Sequence, residues 1–327
     1  MEFVLFISSF FLFCFLFFNF FLILFSLGTS HWGIDYHSCV GKHQSPINIE
    51  EHNVKNVSLI PLRFEKLNIP RTSFITNNGH TVMIKTNELE PAIVSGGPLG
   101  DNNYIFEQLH FHWGENDTKG SEDQINNHSF AMELHAVFYK QDYKSMTEAM
   151  KHPDGLAVFA YFYEVADKEN PTYKPIVEAL PTIEEVNSKH ELKEPLLLEH
   201  LLITNISTMQ NYFTYNGSLT TPPCLEVVTW VDFKDPQLLS HNQLAAFRNL
   251  CTSDGNKLTH NFRPVQPLSD RLVYHNIFNN NNSNIYYCKV LFCSSFSIVF
   301  TIIIFTIVAK LCWSCLRRSL INSAIAF

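Results

Sequence analysis

The chain has 327 residues, is 46% hydrophobic with 29 Phe, and carries a formal charge of −8, which excludes collagen-like, coiled-coil and wholly disordered classes. The negative balance also argues against a nucleic-acid partner, because phosphate binding needs a basic face and none is visible. The average hides an uneven distribution: eleven of the 29 Phe lie between Phe3 and Phe25, and a second apolar run sits near the C-terminus. Between these ends, residues 31–284 hold all 15 His, 19 of the 23 basic residues and 30 of the 31 acidic ones, a balance of −11. A segment of that length is enough for one large single-core domain.

In chain order, Phe3–Leu27 is almost purely apolar and is followed by the small residues Gly28, Thr29 and Ser30. Residues 1–30 therefore read as a secretory signal peptide. Glu2 is the only charge ahead of the run, and an uncleaved signal-anchor is the alternative. Short β-rich runs follow at Thr72–Thr76, Thr81–Thr86, Tyr104–Trp113, Phe130–Lys140, Leu156–Val165 and Leu225–Phe233, each bounded by Gly, Pro, Asn or Asp. The best helical signal is Ser240–Leu250, where Ser240 and Gln243 form a capping box before Leu244, Ala245 and Phe247. A large sheet with short peripheral helices is the expected architecture. Near the end, Val290–Ala309 is a 20-residue apolar segment between Lys289 and Lys310, long enough to span a bilayer as a helix. Arg317 and Arg318 beyond it place the tail in the cytosol and the domain outside. Residues 285–327 are read as this anchor and a short tail, with a GPI signal at Asn279–Asn284 as the competitor.

Cys14 lies in the signal region and Cys293, Cys312 and Cys315 in or beside the C-terminal span, leaving Cys39, Cys224, Cys251 and Cys288. An oxidising compartment predicts a pairing within the domain, and the sequons at Asn56, Asn116, Asn127, Asn205 and Asn281 fit secretion. A further sequon at Asn216 has neighbours that look functional and is expected to be unmodified.

The histidines carry the chemistry. Alternation along Tyr104–Trp113 puts Gln108, His110 and His112 on one face and Leu109, Phe111 and Trp113 on the other. The next long strand puts Glu133, His135 and Val137 on one face. If the two strands pair, three imidazoles meet, and three neutral His with an open fourth position is the catalytic form of a zinc site. Gln108 beside His110 and Glu133 beside His135 are spaced to orient the second ring nitrogen. On spacing alone, partly exposed His and a metal site remain comparable readings. A cupin-type barrel using Glu115 needs a further His in a turn after His135, and the sequence lacks one at suitable spacing.

Taken with further blocks in register, the sequence resembles an α-class carbonic anhydrase. The matching segments are Gln44-Ser45-Pro46-Ile47-Asn48-Ile49, Asn77-Asn78-Gly79-His80, Gly96-Gly97-Pro98-Leu99, Gln108 to Gly114, Ser121-Glu122, Glu133-Leu134-His135, Pro153 to Val158, Gly217 to Pro223 and Asn261-Phe262-Arg263-Pro264. The resemblance implies a mixed α+β fold dominated by a large central, mostly antiparallel, twisted β-sheet with short peripheral helices. It implies an extracellular catalytic domain over residues 31–284 that reversibly hydrates carbon dioxide to bicarbonate and a proton, by zinc-bound hydroxide with a His proton shuttle. Zn²⁺ would be held by His110, His112 and His135. Thr220 matches the residue that accepts a hydrogen bond from the hydroxide and passes one to a carboxylate, here Glu122. Val137, Val158, Leu219, Val228 and Trp230 match the apolar wall for the substrate, and Thr221 lies beside it. His80 matches the proton-shuttle position; without the resemblance it reads as an exposed turn residue. Cys39 and Cys224 fall at the positions of the disulfide of secreted and membrane-bound members, and Cys251 and Cys288 pair with each other or stay free. Sulfonamide and anion inhibitors are expected, as is a plasma-membrane location with the GPI anchor as alternative. Inactive relatives usually lose a ligand His, and all three remain here; the rival from another class is a catalytically silent binding ectodomain.

Four departures stand out. The stretch between Trp32 and Gln44 is several residues shorter than in most relatives, and Ile34 replaces a Tyr that in the family contacts the residue matching Thr220. Asp123 stands where relatives usually have His, and Phe262 where they have Trp. Both are expected to affect packing or stability more than chemistry.

Overall fold

A computed structural model describes residues 29–87, 90–203 and 209–277. The apolar N-terminal segment, the C-terminal apolar run, Cys288 and the sequons at Asn205 and Asn281 lie outside the described residues. No helix among the described residues is long and apolar enough to cross a membrane.

The strands in chain order are β1 (Asn48–Ile49), β2 (Lys55–Val57), β3 (Arg63–Glu65), β4 (Ser73–Asn77), β5 (Val82–Thr86), β6 (Ile93–Ser95) and β7 (Tyr104–Trp113). They continue with β8 (Gln124–Ile125), β9 (Met132–Lys140), β10 (Leu156–Ala166), β11 (Lys189–Glu191), β12 (Tyr212–Gly217), β13 (Val228–Ser240) and β14 (Tyr274–Asn276). Twelve of these form one large sheet in the order β11-β4-β5-β7-β9-β10-β13-β12-β14-β2, with β3 and β6 attached beside β7. Its pairings are antiparallel except β10 with β13 and β14 with β2. The helices are short and peripheral. The longest among the described residues, His241–Phe247, begins at the expected capping box, with Ser240 accepting from the Gln243 N–H.

Each face of the sheet carries its own apolar cluster. Leu109, Phe111, Trp113, Leu134, Phe138, Phe159 and Tyr161 pack on one side. Val137, Leu156, Val158, Ala160, Phe162, Val228 and Trp230 pack on the other. The central strand β10 is buried on both faces over Leu156–Tyr163, so its sequence is a continuous apolar run.

Two irregularities set the register. The pairing of β7 with β9 skips between Phe106 and Gln108, leaving Glu107 as an extra residue. Strict alternation over Tyr104–Trp113 therefore fails at its middle. Tyr104 and Phe106 share the face of Leu109, Phe111 and Trp113, and this bulge is what turns Gln108, His110 and His112 to the opposite face. The strand expected to end at Phe233 continues to Ser240, because the register with β10 jumps from Phe233 to Gln237 and lets Pro236 sit in the irregularity. The short strands β2, β3, β6, β11 and β14 carry no periodicity that the sequence alone displays.

At the N-terminal side, a short helix at Trp32–Asp35 leaves Ile34 exposed at 78%. The arm is held by the Cys39–Cys224 disulfide and by the Arg263 guanidinium, which lies over the Trp32 ring.

Candidate metal centre and its apolar wall

Registers across β7, β9, β10 and β13 arrange the site in rows. His110 is opposite His135, His135 opposite Ala160, and Ala160 opposite Asp232. On one side of that row run Gln108, Val137, Val158 and Trp230; on the other, His112 pairs with Glu133, which pairs with Phe162. The three imidazoles thus come from neighbouring positions on paired strands, with ring centroids 4.5 to 5.1 Å apart.

Each ring has one nitrogen held from outside. His110 Nδ1 is 3.0 Å from Gln108 Oε1, His135 Nε2 is 2.6 Å from Glu133 Oε1, and His112 Nδ1 is 3.0 Å from the Asn261 main-chain oxygen. The remaining nitrogens of the three rings lie within 4.8 Å of one another. His112 Nε2 is buried there with no hydrogen-bond partner. Burial drives the pKa values of His110 and His135 well below the ordinary histidine value, and the neighbouring imidazoles add to this. Neutral rings with inward lone pairs are the form that ligates a metal ion, so the donor set fits zinc. Held this way, His110 and His112 offer Nε2 and His135 offers Nδ1.

Glu122 lies beneath the trio. Its Oε1 accepts the Arg263 N–H at 2.8 Å, and its Oε2 is 3.4 Å from His112 Nε2. Burial raises its pKa, opposed chiefly by His112 and then by the Thr220 hydroxyl, and its Oε2 is buried with no hydrogen-bond partner. Glu133 is equally enclosed: its Oε2 accepts the N–H groups of Glu122 and Asp123 at 2.8 and 3.0 Å. Val137, Val158, Val228 and Trp230 form one buried apolar group against which Leu219 packs, and the Trp230 ring meets His135 edge-on at 4.8 Å. Thr220 is buried beside this wall and Thr221 is exposed.

His80 follows β4 in a turn built by Asn78, whose Oδ1 accepts the N–H groups of His80 and Thr81. It is partly buried rather than the exposed turn residue of the bare sequence reading, and burial lowers its pKa from the ordinary value. Its main-chain oxygen accepts from Asn261 Nδ2 at 2.9 Å.

The sequence reading missed two residues. Asn261 joins the His80 turn to the His112 ring and also accepts the Trp113 N–H, but its contact to His112 uses a backbone oxygen, which no residue pattern announces. Asp232 is fully buried in the row of His135, and neither carboxyl oxygen has a hydrogen-bond partner. The expected pairing of Cys39 with Cys224 is present across 185 residues, and Cys251 is a free thiol in the structure.

Residues 27–277 match the family described as eukaryotic-type carbonic anhydrase. The chain is 38% identical to carbonic anhydrase 7 of Homo sapiens over 255 residues, covering 75% of this chain and 93% of that protein. It is 39% identical to carbonic anhydrase 7 of Mus musculus, with the same coverage. It is 37% identical to carbonic anhydrase 6 of Homo sapiens over 260 residues, covering 78% of this chain and 82% of that protein. With the family match running over the whole described sheet, the chain belongs to the eukaryotic-type carbonic anhydrase family.

Proposed function

We propose that the protein is a zinc-dependent carbonate dehydratase, converting carbon dioxide and water to bicarbonate and a proton. The observation that carries this is the state of the three rings: each outer nitrogen is engaged and the inner ones converge beside Glu122. A zinc ion held by His110, His112 and His135 supplies a Lewis acid that brings the pKa of water to about 7. Thr220 acts through its partner. A Thr220 hydroxyl that donates to the Glu122 carboxylate would be left to accept from the attacking oxygen, and so to orient it toward the substrate. Glu122 is held for this task by the Arg263 N–H. Gln108, the Asn261 carbonyl and Glu133 fix ring tautomers and orientations. Val137, Val158, Leu219, Val228 and Trp230 offer an uncharged, water-excluding surface suited to carbon dioxide, and Thr221 at its edge is placed to meet bicarbonate. The proton released leaves through His80, whose lowered pKa keeps it free to accept at neutral pH.

Purified protein is expected to carry one zinc per chain and to hydrate carbon dioxide in a manner blocked by sulfonamides and by anions. Zinc-loaded protein with no rate above buffer would sink the catalytic reading and leave a silent binding ectodomain. The proposal extends to location. The Cys39–Cys224 bond favours an oxidising compartment. With residues 1–30 as signal peptide and 285–327 as anchor, the domain would face the outside of the plasma membrane. Release from intact cells by a phosphatidylinositol-specific phospholipase separates a GPI anchor from a span.

A further inference from the structure

Glu122 and Thr220 come from segments far apart in the chain, so the spacing between their side chains depends on whatever holds those segments in register. The structure shows one continuous brace. Next to Glu122, Asp123 Oδ1 accepts the Ile47 N–H at 2.7 Å and the Tyr215 hydroxyl at 3.1 Å. The same hydroxyl is 3.1 Å from Ser45 Oγ. Ser45 and Ser218 then bond reciprocally: the Ser45 N–H donates to Ser218 Oγ at 2.9 Å, and the Ser218 N–H to Ser45 Oγ at 3.1 Å. Ser218 lies two residues before Thr220, and its carbonyl accepts from the Trp230 indole at 3.2 Å. Asp123, Ser45 and Ser218 expose no surface, so water does not compete for these bonds.

We propose that Asp123 is a positioning residue for the reaction: acting through Tyr215 and Ser45, its carboxylate sets Ser218, and with it Thr220, at the spacing from Glu122 that the proposed reaction needs. This rests on the carbonate dehydratase reading for its kinetic consequence, not for its structural one. Asp123 is also the position where the resemblance leads one to expect His, and where the departure is expected to affect packing or stability more than chemistry. Its carboxylate stands among groups of both signs: Glu122 beside it, Glu133 from β9, Asp232 from β13, Tyr215 from β12, and Arg271. Burial and Glu122 push its pKa up to about 7, while the Ile47 and Tyr215 bonds and Arg271 favour the ionised form that the brace uses.

The test is a double-mutant cycle with a structural arm. Asp123→Ala should lower kcat/KM for carbon dioxide hydration about tenfold, and less than about twofold when Thr220 is already Ala, because a residue acting through Thr220 has nothing left to position. Asp123→Asn keeps an oxygen that accepts from Ile47 and Tyr215, and should return kcat/KM to within about threefold of the parent. In native-state hydrogen exchange of the zinc-loaded full chain, Asp123→Ala should lower protection of the Ser218 amide at least about tenfold and leave the Leu134 amide in β9 unchanged. Equal losses in both Thr220 backgrounds, or a Ser218 amide as protected as before, would overturn the proposal. If Asp123→Ala does not fold, Tyr215→Phe removes only the linking hydroxyl and carries the same comparison. A parent protein without hydratase activity would defeat the functional reading, and the exchange arm would still decide the brace.

Discussion

Replacing Asp232 by Val should stabilise this protein, because Asp232 is buried without compensation. The residue exposes no surface, neither carboxyl oxygen has a hydrogen-bond partner, and its cross-strand neighbours are Ala160 and Phe213. Burial first, and Asp123 second, push its pKa well above the ordinary value. An unmet buried polar group costs about 1–3 kcal/mol, whereas an apolar side chain of similar volume removes that cost. Asp232→Val is therefore expected to gain about 1–3 kcal/mol at neutral pH, or roughly 2–4 °C in Tm per kcal/mol for a domain of this size. The pH dependence has a definite sign. A carboxyl whose folded pKa is raised contributes stability that is full below the unfolded pKa, near 4, and is lost as pH rises through the folded one. The loss for one proton is at most about 1.4 kcal/mol per pH unit. Val has nothing to lose, so its advantage should widen from pH 5 toward pH 8. Urea unfolding at fixed zinc, repeated at each pH, reads this directly. Asp232→Asn keeps unmet polar atoms but cannot titrate, so it should flatten the slope without the full gain. A Val variant less stable than the parent at pH 7, or an advantage independent of pH, would show that the carboxyl has partners or is charged, and would refute the reasoning.

Three further outcomes are expected. Gln108→Ala, which frees the outer nitrogen of His110, should weaken zinc binding about 10–100-fold in a chelator competition, and unchanged affinity would remove Gln108 from the support of the site. His80→Ala should slow turnover in weak buffer and be rescued by added imidazole, with no rescue excluding a shuttle role. Replacing Cys39 and Cys224 together by Ser opens a closed loop of 185 residues and should cost up to about 5 kcal/mol in urea unfolding; a loss below about 1 kcal/mol would mean that the hydrogen bonds of Arg263 to Cys39, Gln44 and Ser45 hold the arm unaided.

The large strands were legible because each buries at least one face. In β9, Glu133, His135 and Val137 alternate with Leu134, Ala136 and Phe138, and both sets meet a packed surface. The edges were not, since strands of two or three residues such as β2 and β14 are fixed by a neighbour's hydrogen bonds and carry little pattern of their own. The bulge at Glu107 was also hidden. It is a mismatch between two strands, and it becomes visible only when β7 is laid against β9.

The site divides along the same physical line. The convergence of His110, His112 and His135, with Gln108 and Glu133 on two of the outer ring nitrogens, could be read because it depends on side-chain type at alternating positions. Asn261 could not, because its carbonyl oxygen is shared by every residue and only the fold brings it to His112. Asp123 and Asp232 fail for a third reason. A carboxylate in a sequence predicts solvent, and what makes these two different is enclosure: Asp123 is met by Ile47 and Tyr215, while Asp232 is met by nothing. The same residue type, equally buried about the same metal centre, is thus expected to act in opposite senses, Asp123 holding Thr220 in place and Asp232 costing stability. Substituting both tests that contrast in one protein, since loss of Asp123 should reduce turnover and loss of Asp232 should raise the unfolding midpoint.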